Sequence, residues 1–297
     1  MDRRQFLLQA SLLAAGTAFP FRKLIAKADG NFTVLRRNVG YFTEKGGTIG
    51  WLAAKDAMVV VDAQYPDTAP HCLKGLKERS DHALDLLINT HHHRDHTAGN
   101  IVFKDAGHMV AQENVPKLMR MAAEKGENKY ELAFPKTTFA DTWQMDVGDE
   151  TIHTKYYGPA HTSGDAVIYF EQANIVHIGD LVFNRMNPFT DQPAGGSITN
   201  WIKSLAKIEE EYPSDAIYIF GHGKAEYGVS GDKKDVAVMR KYFSAMMDYV
   251  ETAVEQGKSR KQIMDKKKLD GFENFMYADF WTLPQNLEIA YSEVTNS

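Results

Sequence analysis

The chain of 297 residues reads as an α/β protein. Three observations predict this class. Apolar runs rich in Val, Ile, Leu and aromatics recur at strand length, amphipathic stretches of helical period stand between them, and clusters of Gly, Pro, Asn and Asp punctuate the two. The strand-like runs fall into two blocks, each accompanied by helices, as expected of packed layers around a shared core.

Taken in order, residues 32–61 read as successive short strands with turns at Glu44–Gly47 and Lys55-Asp56. Residues 66–79 read as a helix opened by Pro66, and 84–89 as a buried strand. A loop and a short helix to about residue 104 follow, then a strand at 108–112 and a helix at 114–125 closed by Gly126. Residues 136–140, 151–157, 166–170 and 174–179 are strands of the second block. A helix at 199–211 carries Trp201, Ile202, Leu205 and Ile208 on one face, with Pro213 past its end. A strand at 216–220 closes the sheet. From about 233 the chain is helical: Val236, Met239, Phe243, Met246, Val250 and Val254 share one stripe, Gly257 stops it, and helices near 259–267 and 284–295 follow. The organisation expected is a leader at 1–28, a main domain at 29–230 and a helical C-terminal extension at 231–297, the last serving to cover the sheet, close over a site or pair two copies.

The leader is read from Arg3-Arg4, the apolar stretch Leu7–Phe19 and the A-x-A-like Ala26-Lys27-Ala28. This is a twin-arginine export pattern, and the apolar stretch is too short to span a bilayer. It predicts passage through the twin-arginine machinery to a bacterial periplasm or beyond, without stable membrane insertion after processing. A net charge of −5 without a clustered basic tract excludes nucleic acid as an expected partner. The single cysteine, Cys72, excludes an internal disulfide and is expected as a small buried apolar residue.

The chemistry concentrates after the 84–89 strand. His91, His93, Asp95 and His96 form H-x-H-x-D-H. Side chains two apart on extended backbone point the same way, so His91 and His93 can grip one ion, while Asp95 and His96, past the turn at Arg94, can address a second point. Imidazole and carboxylate suit zinc without excluding iron or manganese. Three further candidates each sit at a strand end or in the loop beyond: His161 in Gly158–Asp165, Asp180 after the run from Ile175, and His222 after the run from Ile217.

With these residues in this order, the chain resembles the metallo-β-lactamase-fold superfamily of hydrolases over about residues 32–225. The resemblance implies a four-layer αββα sandwich. It implies that His91, His93 and His161 hold one metal, that Asp95, His96 and His222 hold another, and that Asp180 bridges them. It matches Asp62, at the end of the 58–61 strand, to a residue that orients the ligand loop rather than binding metal. It implies two zinc ions per chain and no organic cofactor. The expected reaction is attack on an ester, thioester, lactone or amide carbonyl of a small molecule, with Asp95 orienting the nucleophile and carrying a proton. Asp180 stands where the largest group of zinc β-lactamases has Cys, and where glyoxalase II and the acyl-homoserine lactone lactonases have Asp. That favours a non-β-lactam substrate. The alternatives within the same fold are a genuine zinc β-lactamase, a mononuclear iron dioxygenase and a non-catalytic metal-binding protein. Asn184 and Arg185, after the Asp180 strand, and Lys224 and Tyr227, after His222, are the expected substrate-binding residues. The Pro/Gly-rich stretch 186–198 is expected to flank the metals.

Overall fold

A computed structural model describes residues 27–126, 129–277 and 281–296. Sixteen strands are present among these residues: β1 (Lys27–Asp29), β2 (Phe32–Arg36), β3 (Val39–Phe42), β4 (Ile49–Ala54), β5 (Ala57–Val61), β6 (Leu86–Asn89), β7 (His108–Gln112), β8 (Thr137–Phe139), β9 (Thr142–Val147), β10 (Glu150–Tyr156), β11 (Ala166–Phe170), β12 (Ile175–His177), β13 (Phe183–Asn184), β14 (Ile217–Ile219), β15 (His222–Gly223) and β16 (Ser230–Gly231). The α-helices are α1 (Ala69–Lys77), α2 (Arg94–Thr97), α3 (Asn114–Glu124), α4 (Ile198–Glu211), α5 (Lys233–Glu255), α6 (Arg260–Met264) and α7 (Leu283–Thr295). The expected leader lies outside the described residues except for Lys27 and Ala28, which pair with Val34 and Thr33 in the first ladder.

An eight-stranded sheet runs in chain order from β1 to β8, and a six-stranded sheet has the order β16-β14-β12-β11-β10-β9. The first sheet is antiparallel through β5, then parallel through β6, β7 and β8, where α1 and α3 make the crossovers.

The side-chain period of two explains the layering. In β5, Ala57, Val59 and Val61 point between the sheets, where they meet Ile152, Ile168 and Ile175 of the second sheet. Met58 and Val60 point outward to Cys72 and Leu76 of α1. On the far side, Val167, Val176 and Tyr218 lie under Trp201 and Leu205 of α4 and Met239 and Phe243 of α5. The result is helix, sheet, sheet, helix. Each fully buried aliphatic side chain contributes roughly 1.5–3 kcal/mol. Cys72 is fully buried, as its position on α1 implies.

The C-terminal helices are not a separate body. Val236, Met246, Leu283, Leu287 and Ala290 belong to the same core cluster as Trp201 and Ile208. Glu293 of α7 caps α4, its carboxylate accepting from the backbone N–H groups of Ile198 (2.9 Å) and Thr199 (2.8 Å). The N-terminal end of α4 therefore has its orphan donors satisfied from the tail, where the helix dipole favours an anion.

Candidate metal centre

The two sheets meet along one edge, and bonds between them fix that edge. The Thr48 N–H and hydroxyl both donate to the Gly221 carbonyl (3.0 and 2.9 Å), and the Ala166 N–H donates to the Thr90 carbonyl at 2.7 Å. The β6 exit brings His91, His93, Asp95 and His96 from the first sheet. The β10–β11 loop, the turn after β12 and the turn after β14 bring His161, Asp180 and His222 from the second. Backbone packing is close here. A Cβ on Gly47 would fall 2.2 Å from the His96 ring, and one on Gly221 would fall 1.8 Å from Asp180 Oδ1. Both positions accept glycine alone.

The seven side chains converge. His91, His93, His161 and Asp180 bring one donor atom each within 4.8 Å of one another, and so do Asp95, His96 and His222. Asp180 lies between the groups: its Oδ2 is 3.5 Å from His161 Nε2, 3.8 Å from His91 Nε2 and 3.4 Å from His222 Nε2, while its Oδ1 is 3.1 Å from His96 Nε2. Asp95 Oδ2 is 3.1 Å from His222 Nε2.

What lies behind the rings sets which nitrogen faces inward. His96 Nδ1 donates to Asp62 Oδ2 at 2.7 Å. The Thr90 hydroxyl donates to the same carboxylate (2.7 Å) and so accepts from His91 Nδ1 (3.0 Å). His161 Nδ1 donates to the Phe189 carbonyl at 2.6 Å, and His93 Nε2 donates to Asp191 Oδ2 at 2.9 Å. His91 and His161 thereby present a lone pair to the centre through Nε2, and His93 through Nδ1; at His96 burial opposes the charge, but Asp180, then Asp95 and Asp62, outweigh it and hold the ring well above the usual imidazole range, so its Nε2 is free for a metal only once a proton leaves. Those inward nitrogens stand 3.1 Å (His91 to His93) and 2.9 Å (His161 to His93) apart. Lone pairs facing one another at that distance repel unless a cation lies among them. His96 Nε2 and Asp180 Oδ1, both buried, have no hydrogen-bond partner, which in a folded core marks atoms reserved for something else. The residues fit metal ions, and the nitrogen and oxygen donor set suits zinc without selecting it uniquely.

The electrostatics divide the centre. Burial pushes His161 down to about 3, with His93 adding to the effect, and burial with His96 beside it holds His91 well below the usual range. His222 goes the other way: burial disfavours its charge, but Asp180 and then Asp95 outweigh burial and push it up to about 10. Burial would raise the Asp95 carboxyl, yet His96 and His222 hold it well below the usual carboxylate range.

Asp62 is fully buried and left-handed at φ 65°, tied by its backbone to Ile88 and by its carboxylate to the Thr90 N–H (2.8 Å), the Thr90 hydroxyl and His96. It stands behind His96, outside both donor groups.

The expected substrate residues fall elsewhere, and this is a correction. None of Asn184, Arg185, Lys224 and Tyr227 lines the cavity of ≈550 Å³ that opens onto Asp95, Asp180 and His222. Strand β13 pairs in parallel with β15, which stacks Phe183 on the His222 ring (5.3 Å, 18°) and turns its neighbour Asn184 to the opposite side. There Asn184 donates to the carbonyls of Tyr227 and Gly228. Arg185 pairs with Asp235 at 3.0 Å and covers the Tyr227 ring, Lys224 donates to the Asn274 carbonyl, and the Tyr227 hydroxyl accepts from Asn274. Arg185, Lys224 and Tyr227 thus tie the short β13–β15 pair to the tail, while Asn184 closes the pair on the 227–228 turn.

Sequence reasoning missed Thr90, His92, Phe189, Asp191 and Trp281. His92 and Asp191 stand with His93 as a further donor group. The only signal for Asp191 was its place in the Pro/Gly-rich stretch 186–198. The tail fastens that stretch through Asn286, whose amide donates to Asn187 Oδ1 (3.0 Å) and the Pro188 carbonyl (2.7 Å), while its oxygen accepts from Thr190 (2.8 Å) and Trp281 Nε1 (3.0 Å).

An αββα sandwich whose sheet edge gathers His and Asp side chains into adjoining candidate donor groups defines a metal-dependent hydrolase. The chain belongs to the metallo-beta-lactamase superfamily, whose family model matches residues 43–222. It is 22% identical to the metallo-beta-lactamase type 2 of Bacillus cereus over 68% of this chain and 80% of that protein. It is 26% identical to the hydroxyacylglutathione hydrolase of Pelagibacter ubique (strain HTCC1062) over 44% of this chain and 48% of that one. Among solved structures it superposes on the stereoselective inverting sec-alkylsulfatase Pisa1 from Pseudomonas sp. (TM-score 0.70, 13% identity, 89% of this chain and 50% of that one). It also superposes on a metallo-beta-lactamase from Pontibacter korlensis (TM-score 0.55, 19% identity, 73% and 97%). The chain thus spans half the length of the sulfatase, and these structural likenesses concern the fold.

Proposed function

We propose that the chain is an exported dinuclear zinc hydrolase acting on the carbonyl of a small ester, thioester, lactone or amide. The observation that supports this best is the position of Asp180 between two donor groups, with one carboxylate oxygen near His96 and the other near His161 and His222. When bound there, divalent cations supply Lewis acidity and bring the pKa of a coordinated water towards about 7.

The chain's own residues do the rest. Asp95 lines the cavity next to His222 and Asp180, with its carboxyl held ionised, so it can accept a hydrogen bond from the attacking water and pass a proton on. The water oxygen bonds to the acyl carbon, the bond from that carbon to oxygen, sulfur or nitrogen breaks, and the leaving atom takes the proton. Phe183, Phe189 and Trp281 exclude bulk water from the cavity wall.

The carboxylate at position 180 and the relative named hydroxyacylglutathione hydrolase support an ester or thioester. The relatives named metallo-beta-lactamase type 2 support the competing reading, a β-lactamase with a carboxylate at that position. Turnover of nitrocefin and a carbapenem beside thioester and lactone panels separates the two. Efficient β-lactam hydrolysis with no ester, thioester or lactone turnover would overturn the preference. Metal analysis finding one iron per chain, with oxygen consumption, would favour a dioxygenase. Bound metal without hydrolysis on any panel would leave a metal-binding protein.

The export part of the proposal rests on Arg3-Arg4, the apolar stretch after them and Ala26-Lys27-Ala28. Among the described residues no helix is long and apolar enough to cross a membrane. Replacing both arginines with lysine should retain the protein in the cytoplasm, and the mature N-terminus, read by mass spectrometry, should fall near residue 28. Unchanged export of the lysine variant would sink this part.

A further inference from the structure

The cavity has two unlike ends. At the inner end stand Asp95, Asp180 and His222. Its outer part runs between helix α3 and the C-terminal tail, and its walls there are mainly apolar, with Leu118 and Met121 beside a single Lys125 on one side and Met186, Phe189 and Trp281 on the other.

Each wall shows a feature that core packing leaves unexplained. On α3, Val115 and Met119 already serve the core, packed with Ala111. Leu118, Met121, Ala122 and Lys125 make a second stripe one helical turn apart, and that stripe faces the cavity. Met121 is 45% exposed, a large apolar side chain offered to the opening. Opposite, Trp281 meets Phe189 edge to face (4.3 Å, 88°), and its indole N–H is held by Asn286, so the wall is stiff. Phe189 in turn lies 5.3 Å from the His93 ring, which makes the apolar wall continuous with the donor groups. A volume of ≈550 Å³ falls within the roughly 300–1,000 Å³ usual for small-molecule sites.

We infer that the substrate carries an apolar arm, aliphatic and of medium length, which lies in the slot between Met121 of α3 and Trp281 of the tail, so that the tail sets chain-length preference. The inference rests on the carbonyl-hydrolase reading for its chemistry but not for its geometry. A substrate with a wholly polar arm would leave Leu118, Met121 and Trp281 facing it unpaired.

The test uses the metal-loaded full chain and two readouts. In the first, kcat/KM is measured for two ester series that lengthen either the acyl or the alkyl side from two to ten carbons. In one series it should rise about fourfold per added methylene until the slot is full. In the second, isothermal titration with the carboxylates from butanoate to decanoate should show affinity climbing in the same proportion. Trp281→Ala should cut the eight-carbon to two-carbon rate ratio at least tenfold. Met121→Lys, on an exposed position that the fold tolerates, should do the same by placing a charge in the slot. Flat rate series together with flat carboxylate affinity would overturn the inference while leaving hydrolysis intact. Climbing affinity without turnover of any ester, thioester, lactone or amide of matching chain length would support the slot and defeat the carbonyl reading instead. A Met121→Lys protein with an unchanged ratio would also overturn it.

Discussion

Asp62 and His96 share a 2.7 Å hydrogen bond in which neither side chain is exposed to solvent. The carboxylate also accepts from the N–H and hydroxyl of Thr90, so one buried acid aligns His96 directly and His91 through Thr90. Asp62→Asn replaces one acceptor oxygen with a donor. Metal affinity should fall about 10–100-fold, read by competition with a chelating dye, while the far-UV spectrum stays unchanged. Full affinity in the variant would remove Asp62 from this role.

Asp95 has a different weight. Its carboxylate lines the cavity and holds His222 at 3.1 Å. Asp95→Asn should lower kcat about 10²–10⁴-fold, with a smaller change in KM. A variant that keeps its bound metal and full turnover would overturn the assignment.

The two donor groups should respond to pH differently. Burial has pushed His161 down to about 3 and, with His96 beside it, holds His91 well below the usual range, so neither ring needs a proton displaced above mildly acid pH. Burial opposes the charge on His222, but Asp180 outweighs it and carries that ring up to about 10, so a cation entering beside Asp95 and His96 must displace a proton. A raised pKa means the proton is bound below it and leaves above it. Affinity at this second group should therefore climb through the neutral range and level off near pH 10, while affinity at the first stays flat. Titrations in buffers of different ionisation enthalpy count the protons released. Equal pH slopes for both ions would contradict the division.

The candidate metal donors come from both sheets, so bound ions would join the two halves. Chelation should lower the melting temperature by about 5–10 °C if the ions are held at a hundred times their dissociation constant, which is about 2.7 kcal/mol of linkage. Differential scanning fluorimetry with and without chelator reads this. An unchanged melting temperature would mean that the donors do not bind metal in the folded state.

Asn286 makes four side-chain bonds to the 187–190 stretch and Trp281 while itself fully buried. Asn286→Leu leaves the Thr190 and Trp281 donors and the Asn187 and Pro188 acceptors short of a partner. The cost should be about 2–4 kcal/mol in urea unfolding. Because Phe189 and Asp191 back His161 and His93 from that same stretch, metal affinity should fall as well.

Much of this was legible in the sequence. The runs at 108–112 and 166–170 match their strands, and the stripe from Val236 lies on α5 with Gly257 just past its end. These signals are local: periodicity, caps and breakers act within a few residues. The H-x-H-x-D-H spacing and the three strand-end residues pointed to the side chains that converge, because rigid strands aim the loops at their tips. What failed was direction and distance. Asn184 follows the cavity-lining Phe183, yet the two-residue period turns it to the opposite side. Asp191 is 98 residues from His93, and no periodicity announces a partner across that gap. Strand β9 was missed although Thr142, Gln144 and Asp146 alternate with Trp143, Met145 and Val147 in the two-residue period of a half-buried strand.

Trp281, Asn286 and Glu293 place the last part of the chain behind the metal centre as well as along the cavity. The side chains that steady the donors thus stand far along the chain from the histidines they steady, so the centre is finished only when the α7 segment has docked on the sandwich. Metal uptake would then report that docking, because binding and folding are coupled.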